Sequence, residues 1–314
     1  MTHLNFVTLD VFTSTPYSGN PLAVVFLPED PTTTLTKSQK QIIAREFNLS
    51  ETVFVHPVTD KTKRTIDIFT TDHELPFAGH PTIGTASWFL HHSTNPADSS
   101  NVTTLTTKSG DIPLTANSSD KTVAAKIAHN TRIHAARFSL SELLRMHPTL
   151  APYFPKKDVT FPVFSIVNGM SQLFVELPSL EALAAVTPAT GGETVSDQYL
   201  DEGWRGLLLC VYFFVREVDD SVLKREVIRS RMLLGTLEDP ATGSAASGLA
   251  AYLALTEEKA GETAEYHVVQ GVEMGRRSDI GIKVTLNEER RVQEVVLTGS
   301  AVCVSEGKVL VPPV

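Results

Sequence analysis

The run Thr242-Gly-Ser-Ala-Ala-Ser-Gly-Leu-Ala-Ala-Tyr-Leu253 decides the fold. Its residues are small or apolar at nearly every position, so a helix built from them has no face to give to water and belongs inside something. It follows the turn Glu238-Asp-Pro-Ala241, which follows a strand-like run from Val227 to Leu233. The same order stands earlier in the chain. Ile66 and Ile68 alternate with Thr65 and Asp67 as in a strand, and the loop Thr70-Thr-Asp-His-Glu-Leu-Pro-Phe-Ala-Gly79 comes next. His80-Pro-Thr-Ile-Gly-Thr-Ala-Ser-Trp-Phe-Leu90 is then a second helix, apolar nearly all round, with Pro81 as its first-turn proline. Strand, acid, proline-containing turn, glycine and apolar helix thus occur twice. The repetition predicts two lobes, each wrapping strands around one buried helix, at about 80 to 91 and 243 to 255.

The flanking sequence fills in strands around both helices. Asn5 to Phe12 and Leu22 to Leu27 are short β-rich runs separated by a Pro/Gly/Ser loop, and Thr52 to Val55 is another strand. Thr36-Lys-Ser-Gln39 is a capping-box pattern ahead of Ile42, Ile43 and Phe47, which predicts an amphipathic helix from Lys37 to Phe47. The Ser/Thr/Asn-rich stretch His92 to Thr107 reads as a surface loop leading into a strand. Polarity and loss of periodicity between Lys126 and Arg137 place a domain boundary there. Ser139-Leu-Ser-Glu142 is a second capping box, opening a short helix that Pro148 stops. Phe161 to Val167, Gln172 to Leu177, Leu207 to Val215, Tyr266 to Gln270, Ile280 to Leu286, Val292 to Leu297 and Ala301 to Val304 are strand-like.

Length and composition exclude several classes of function. The 314 residues suit two domains, and 42% hydrophobic with 20% charged residues is a globular composition. With 27 Lys and Arg against 36 Asp and Glu, the net charge is −9, and no window is rich in basic residues. Nucleic acid and anionic membrane surfaces are therefore not expected as partners. The longest apolar stretch, Leu207 to Val215, is too short to span a bilayer as a helix. Met1 to Phe12 has no basic segment and carries Asp10 where a signal peptide needs an apolar core, so the expected location is cytoplasmic. Cys210 and Cys303 sit in apolar runs without a CxxC, which reads as two small core residues in a reducing compartment.

Candidate chemistry gathers at the two turns. Helix N-termini present backbone N–H groups and a positive dipole end, a setting for an anion. Gly79 and Gly243 would let a ligand approach the backbone, and Ser244 could add a hydroxyl, or the glycines serve only close helix–strand packing. Spacing alone does not separate these readings. Glu51, between the Lys37–Phe47 helix and an apolar strand, is either solvated at the strand's edge or partly buried, and burial would raise its pKa toward neutrality and suit it to passing a proton. His80 at the N-cap position is a cap, a hydrogen-bonded core residue or a proton partner, and Asp239 is by default a capping acid. Glu74 and Asp67 carry no separating signal. Gly243-Ser-Ala-Ala-Ser-Gly248 is not GxSxG, no phosphate or dinucleotide loop occurs, and neither HExxH nor any other ligand spacing supports a metal.

Taken together, Leu9-Asp-Val-Phe-Thr13 with Gly19-Asn-Pro-Leu-Ala-Val24, Ser50-Glu-Thr-Val-Phe-Val55, Phe77-Ala-Gly-His-Pro-Thr-Ile-Gly84, Asp239-Pro-Ala-Thr-Gly-Ser-Ala245 and Gln270-Gly-Val-Glu-Met-Gly-Arg276 resemble the PhzF family of phenazine-biosynthesis-like proteins. The blocks fall in family order and cover nearly the whole chain. The resemblance implies an α+β, diaminopimelate-epimerase-like fold. Its two similar lobes are each a barrel-like sheet around a central helix, with the active site between them. The N-terminal lobe would be residues 1–130, completed by the C-terminal strand at about 300–314, and the C-terminal lobe residues 131–299.

The resemblance further implies cofactor-independent isomerisation, as in the family's namesake, which moves a proton on trans-2,3-dihydro-3-hydroxyanthranilate. The family's proton-shuttling glutamate matches Glu51, its assisting histidine His80 and its aspartate Asp239. Contacts to the substrate carboxylate match Gly79, Gly243 and Ser244. A small anionic metabolite as ligand and a homodimer as the active form follow by the same analogy. Related racemases carry one thiol at each helix N-terminus. Phe77-Ala-Gly-His80 and Asp239-Pro-Ala-Thr-Gly243 hold none, which leaves the carboxylate mechanism. Thr70-Thr71 departs from the Thr-Pro common in the family. A lyase or cyclase of specialised metabolism using the same acid, and a non-enzymatic protein that sequesters an anion, are the alternatives.

Overall fold

A computed structural model describes residues 2–30, 34–156, 158–205 and 209–313. In chain order the elements are β1 (His3–Val11), β2 (Asn20–Phe26), α1 (Lys37–Phe47), β3 (Thr52–Val55), β4 (Lys63–Phe69), β5 (Glu74–Leu75), α2 (Gly79–Ser87), α3 (Pro96–Asn101), β6 (Thr104–Thr107), β7 (Gly110–Asn117) and β8 (Thr122–Lys126). There follow β9 (Arg132–Ser139), α4 (Leu140–Met146), β10 (Thr160–Val167), β11 (Met170–Glu176), α5 (Leu180–Ala184), β12 (Leu209–Asp220), β13 (Arg225–Leu234), β14 (Leu237–Asp239), α6 (Gly243–Glu257), β15 (Thr263–Gln270), β16 (Ser278–Leu286), β17 (Val292–Gly299) and β18 (Ala301–Leu310). The chain divides into two compact units, residues 1–127 with 296–314 and residues 128–295.

Both units use one topology. In the first, β1 and β2 pair antiparallel, and β2 and β3 pair parallel across α1. Then β3 and β4 are antiparallel, β4 carries the short β5, and β4 and β6 are parallel across a connection that contains α2. In the second, β10 and β11 are antiparallel, and β11 and β12 are parallel across α5. Next, β12 and β13 are antiparallel, β13 carries the short β14, and β13 and β15 are parallel across α6. Parallel neighbours need a long crossover, and in each unit the second crossover is spent on the buried helix. The duplication visible in two turns of the sequence is therefore a duplication of the whole strand order. Each unit is a mixed sheet around a helix.

All nine residues of α2 are buried, against β1, β2, β3, β8 and β18. Gly84 is what lets it approach: a Cβ there would lie 2.5 Å from Leu22 Cδ2 and 2.7 Å from Val11 Cγ2. In the other unit α6 packs on β10, β11, β15 and β16, with Ala245, Ala246, Leu249, Ala250 and Ala251 fully buried. Among the described residues no helix is long and apolar enough to cross a membrane.

Local sequence signals match the structure more closely than longer-range ones. The Thr36 capping box forms in both directions, with the Thr36 side chain accepting from the Gln39 N–H, and α1 ends at Asn48 in a left-handed conformation. Ser139 also caps its helix, but the Glu142 carboxylate pairs with Arg145. The expected loop 92–107 contains α3, with Asn95 as its cap and Pro96 in its first turn. It is held by a buried ion pair, Asp98 Oδ1 with Arg64, at 2.5 Å. Cys210 and Cys303 are free thiols in β12 and β18, each keeping a little exposed surface. Positions 207 and 208 of the expected strand Leu207 to Val215 lie outside the described residues.

Candidate active site

In the first unit, Glu51 directly precedes β3 and His80 is the second residue of α2. The helix begins one residue earlier than expected, with Ala78 at the N-cap, so His80 is not the cap. Its side chain, 4% exposed, lies across the start of β3, and Nδ1 stands 3.0 Å from Glu51 Oε2. A carboxylate only accepts, so Nδ1 carries a hydrogen and donates it. His80 Nε2 is buried and has no partner among the described residues.

Glu51 is largely buried, with 18% of its side chain exposed. Burial by itself pushes its pKa up, as the sequence suggested. The hydrogen bond and positive charge of His80, with a smaller contribution from the Ser50 hydroxyl, pull it down by more. The net shift is below the ordinary carboxylate range, the reverse of the sequence expectation, and Glu51 rests as the carboxylate. The Ser50 hydroxyl also reaches Asn20 Oδ1 at 3.4 Å, which ties the glutamate's loop to the start of β2.

In the second unit, Asp239 ends β14, and Gly243 and Ser244 open α6. Asp239 is not the N-cap residue of that helix. Thr242 is the N-cap position and makes no side-chain cap bond, and its hydroxyl instead donates to Asp239 Oδ2 at 2.5 Å. Neither α2 nor α6 has an acidic residue in its first turn or a side-chain cap, so neither positive end is compensated from within its own helix. Glu238, next to Asp239, is held by both its oxygens to the buried Arg231, which also donates to the Leu183 and Val186 carbonyls.

Gln270, Tyr212 and Thr242 gather around Asp239, a grouping that no local spacing in the sequence indicates. Gln270 is fully buried and bonds to the turn 239–242 from 28 to 31 residues away. The available signal was a glutamine closing an apolar strand just before a glycine. Cys210 lies near enough to Asp239 to feel its charge. Burial, with that charge added, pushes the thiol up to about 12, so it offers no thiolate at neutral pH. A Ser–His–Asp grouping, Ser165 with His134 and Asp201, also occurs in this unit. His134 Nδ1 accepts from the Asp201 backbone N–H at 2.9 Å, so Nε2 carries the hydrogen and donates to Ser165 Oγ at 2.8 Å. That tautomer cannot take a proton from the serine. Among the described residues no group of three His, Cys, Asp or Glu side chains could hold a metal.

Two topologically equivalent units, each a mixed sheet around a buried helix, define the diaminopimelate-epimerase-like α+β class. A probable proline racemase from Agrobacterium radiobacter shares the fold at a TM-score of 0.60 and 12% identity, covering 99% of this chain and 94% of that one. A Bacillus anthracis phenazine biosynthesis protein of the PhzF family superposes with a TM-score of 0.74 at 23% identity over 99% of this chain and 100% of that one. Residues 9–307 match the family described as phenazine biosynthesis-like protein. A trans-2,3-dihydro-3-hydroxyanthranilate isomerase of Pseudomonas fluorescens is 33% identical over 311 residues, 98% of this chain and 99% of the relative. An uncharacterized isomerase of Pasteurella multocida is 33% identical over 97% of this chain and 93% of its own length. The chain belongs to the phenazine biosynthesis-like (PhzC-PhzF) family and is an isomerase of the PhzF type.

Proposed function

We propose that this isomerase moves a proton, without a cofactor, on a small cyclic or unsaturated carboxylic acid of the kind named for its relatives, trans-2,3-dihydro-3-hydroxyanthranilate. The observation that carries the reading is the Glu51–His80 pair, a largely buried carboxylate kept ionised by its hydrogen bond to one histidine. An ionised carboxylate at rest is a base. It takes a proton from a ring C–H, the electron pair of that bond shifts along the adjacent π-system, and the neutral Glu51, its acidic hydrogen exchanging with solvent, protonates another carbon. Composition is unchanged and no electron acceptor is required.

A lyase or cyclase that begins by donating a proton needs Glu51 protonated at rest, and the His80 contact opposes that. His80 Nε2 would meet a polar group of the substrate or pass a second proton. The first-turn N–H groups at Gly79, Gly243 and Ser244 would receive carboxylate oxygens, and Asp239 would orient an amine or hydroxyl. The two units correspond in this reading to the family's two lobes, and the working form is a cytoplasmic homodimer. Sedimentation at working concentration as a monomer would overturn the last point.

Incubation in D2O with trans-2,3-dihydro-3-hydroxyanthranilate and a panel of hydroxylated cyclic carboxylic acids, read by mass spectrometry, tests the chemistry. The expected product has the substrate's formula with deuterium at carbon. Loss of water from the product means a lyase, and tight binding with neither isomerised product nor exchange means that Glu51 is not a proton carrier.

A further inference from the structure

We propose that Gln270 is a positioning residue for the reaction: its side-chain amide sets the turn that presents Asp239 and starts α6. The proposal rests on the reading of Asp239 as a site residue.

Gln270 closes β15 and has no exposed surface. Its Nε2 donates to the Asp239 carbonyl at 2.7 Å and to Thr242 Oγ1 at 3.1 Å. Its Oε1 accepts from the Thr242 backbone N–H at 3.3 Å and from the Tyr212 hydroxyl at 3.0 Å. The orientation of the amide is forced, because a carbonyl only accepts and a backbone N–H only donates. Thr242 then donates its own hydroxyl hydrogen to Asp239 Oδ2 at 2.5 Å. One amide therefore holds the backbone of Asp239 and, through Thr242, orients its carboxylate. Tyr212, having given its hydrogen to Gln270, accepts from Ser230 Oγ at 2.9 Å, which anchors the ring in β12 and β13.

The backbone adds a second constraint. Gly271 has φ +74°, and a Cβ there would lie 2.6 Å from both the Pro240 and Arg276 carbonyl oxygens. The strand end thus lies directly on the Asp239-Pro240 turn, and only glycine fits that approach. No other residue type replaces the amide. A glutamate at 270 would set an acceptor against the Asp239 carbonyl, and a methionine of the same length would leave the Asp239 carbonyl, the Thr242 N–H and the Tyr212 hydroxyl without their partner. Displacing a substrate-orienting group by about 1 Å costs about a hundredfold in rate. The effect of Gln270 should therefore pass through Asp239 and fall on kcat.

A double-mutant cycle decides it, using Asp239→Asn, Gln270→Met and the double variant, with kcat and KM measured separately on trans-2,3-dihydro-3-hydroxyanthranilate. Gln270→Met is expected to lower kcat by roughly tenfold to a hundredfold, and the double variant to be no slower than the slower single variant within about threefold. Parental kcat in Gln270→Met, or effects that multiply, would overturn the positioning role while leaving the site reading intact. Parental turnover in Asp239→Asn overturns both, and that single arm shows it. Thr242→Val keeps the volume and the backbone N–H and removes only the shared hydroxyl. If circular dichroism shows Gln270→Met unfolded, the same cycle run with Thr242→Val decides between the same outcomes by the same thresholds.

Discussion

Glu51 Oε2 and His80 Nδ1 stand 3.0 Å apart and join the residue before β3 to the second position of α2. The pair fixes the resting state of the proposed base. It combines a burial that favours the neutral acid with a hydrogen bond and electrostatic attraction from the histidine that together override it. Such opposition leaves a carboxylate that is ionised yet poorly hydrated, able to take a proton once a substrate fills the remaining open side.

Glu51→Gln keeps the shape and removes the base. Binding of trans-2,3-dihydro-3-hydroxyanthranilate is expected to stay within a few-fold, while turnover and deuterium incorporation fall by roughly a hundredfold or more. Near-parental turnover in this variant, with exchange abolished in His80→Gln, would move the base role to the histidine.

The pH dependence of kcat/KM should follow the Glu51 shift. The active form is the carboxylate and its pKa lies below the ordinary range, so the acidic limb of the parental profile lies below that range too. His80→Gln removes the histidine's pull on the carboxylate and leaves burial, which acts in the opposite direction, so the limb of the residual activity should move to higher pH. An unmoved limb would mean that another group controls it.

Turnover should not depend on a metal. Exhaustive dialysis against EDTA is expected to leave kcat unchanged, and a loss that zinc or magnesium restores would contradict the proposed carboxylate chemistry.

Acid stability should depend on Asp67. Its Oδ2 takes Lys40 Nζ at 2.5 Å and His56 Nε2 at 2.9 Å. Burial raises its pKa, but these two contacts lower it further, to about 2. The folded value is below the unfolded one, so the contribution is complete above the unfolded value of about 4 and is lost as pH falls through the folded value. The stability gap between parental protein and Asp67→Asn, read by urea unfolding, should therefore be constant near neutrality and close between about pH 4 and about pH 2.

Gly84→Ala tests the packing of α2. The added methyl meets Leu22 and Val11 well inside contact distance. Overpacking costs about 1–3 kcal/mol, against a gain of up to about 1 kcal/mol in helix propensity. A lower urea midpoint with an unchanged slope is expected, and a higher midpoint would mean that the strands around α2 yield easily.

Local interactions and hydrophobic pattern are legible in the amino-acid order alone. Thr36 and Gln39 are three residues apart, and both bonds of their capping box can be written from the sequence. The apolar character of 80–91 and 243–253 on every face left burial as the only place for those helices, and the paired turns before them announced two equivalent units. The fold class followed from these and from motifs in family order.

Tertiary structure decided what depends on partners far along the chain. Glu51 was legible as an acid before a strand, but the sign of its pKa shift is set by His80, 29 residues on. Asp239 looked like a helix cap, but the N-cap position falls to Thr242, whose hydroxyl donates to Asp239 within a turn held by Gln270. The 92–107 stretch looked like a solvated loop, yet Asp98 finds Arg64, 34 residues back, and the segment folds over that buried pair. A side chain's environment is assembled from strands that meet only after the chain has crossed over. Electrostatics and buried hydrogen bonds act over a few ångströms in space, so sequence separation carries no record of them.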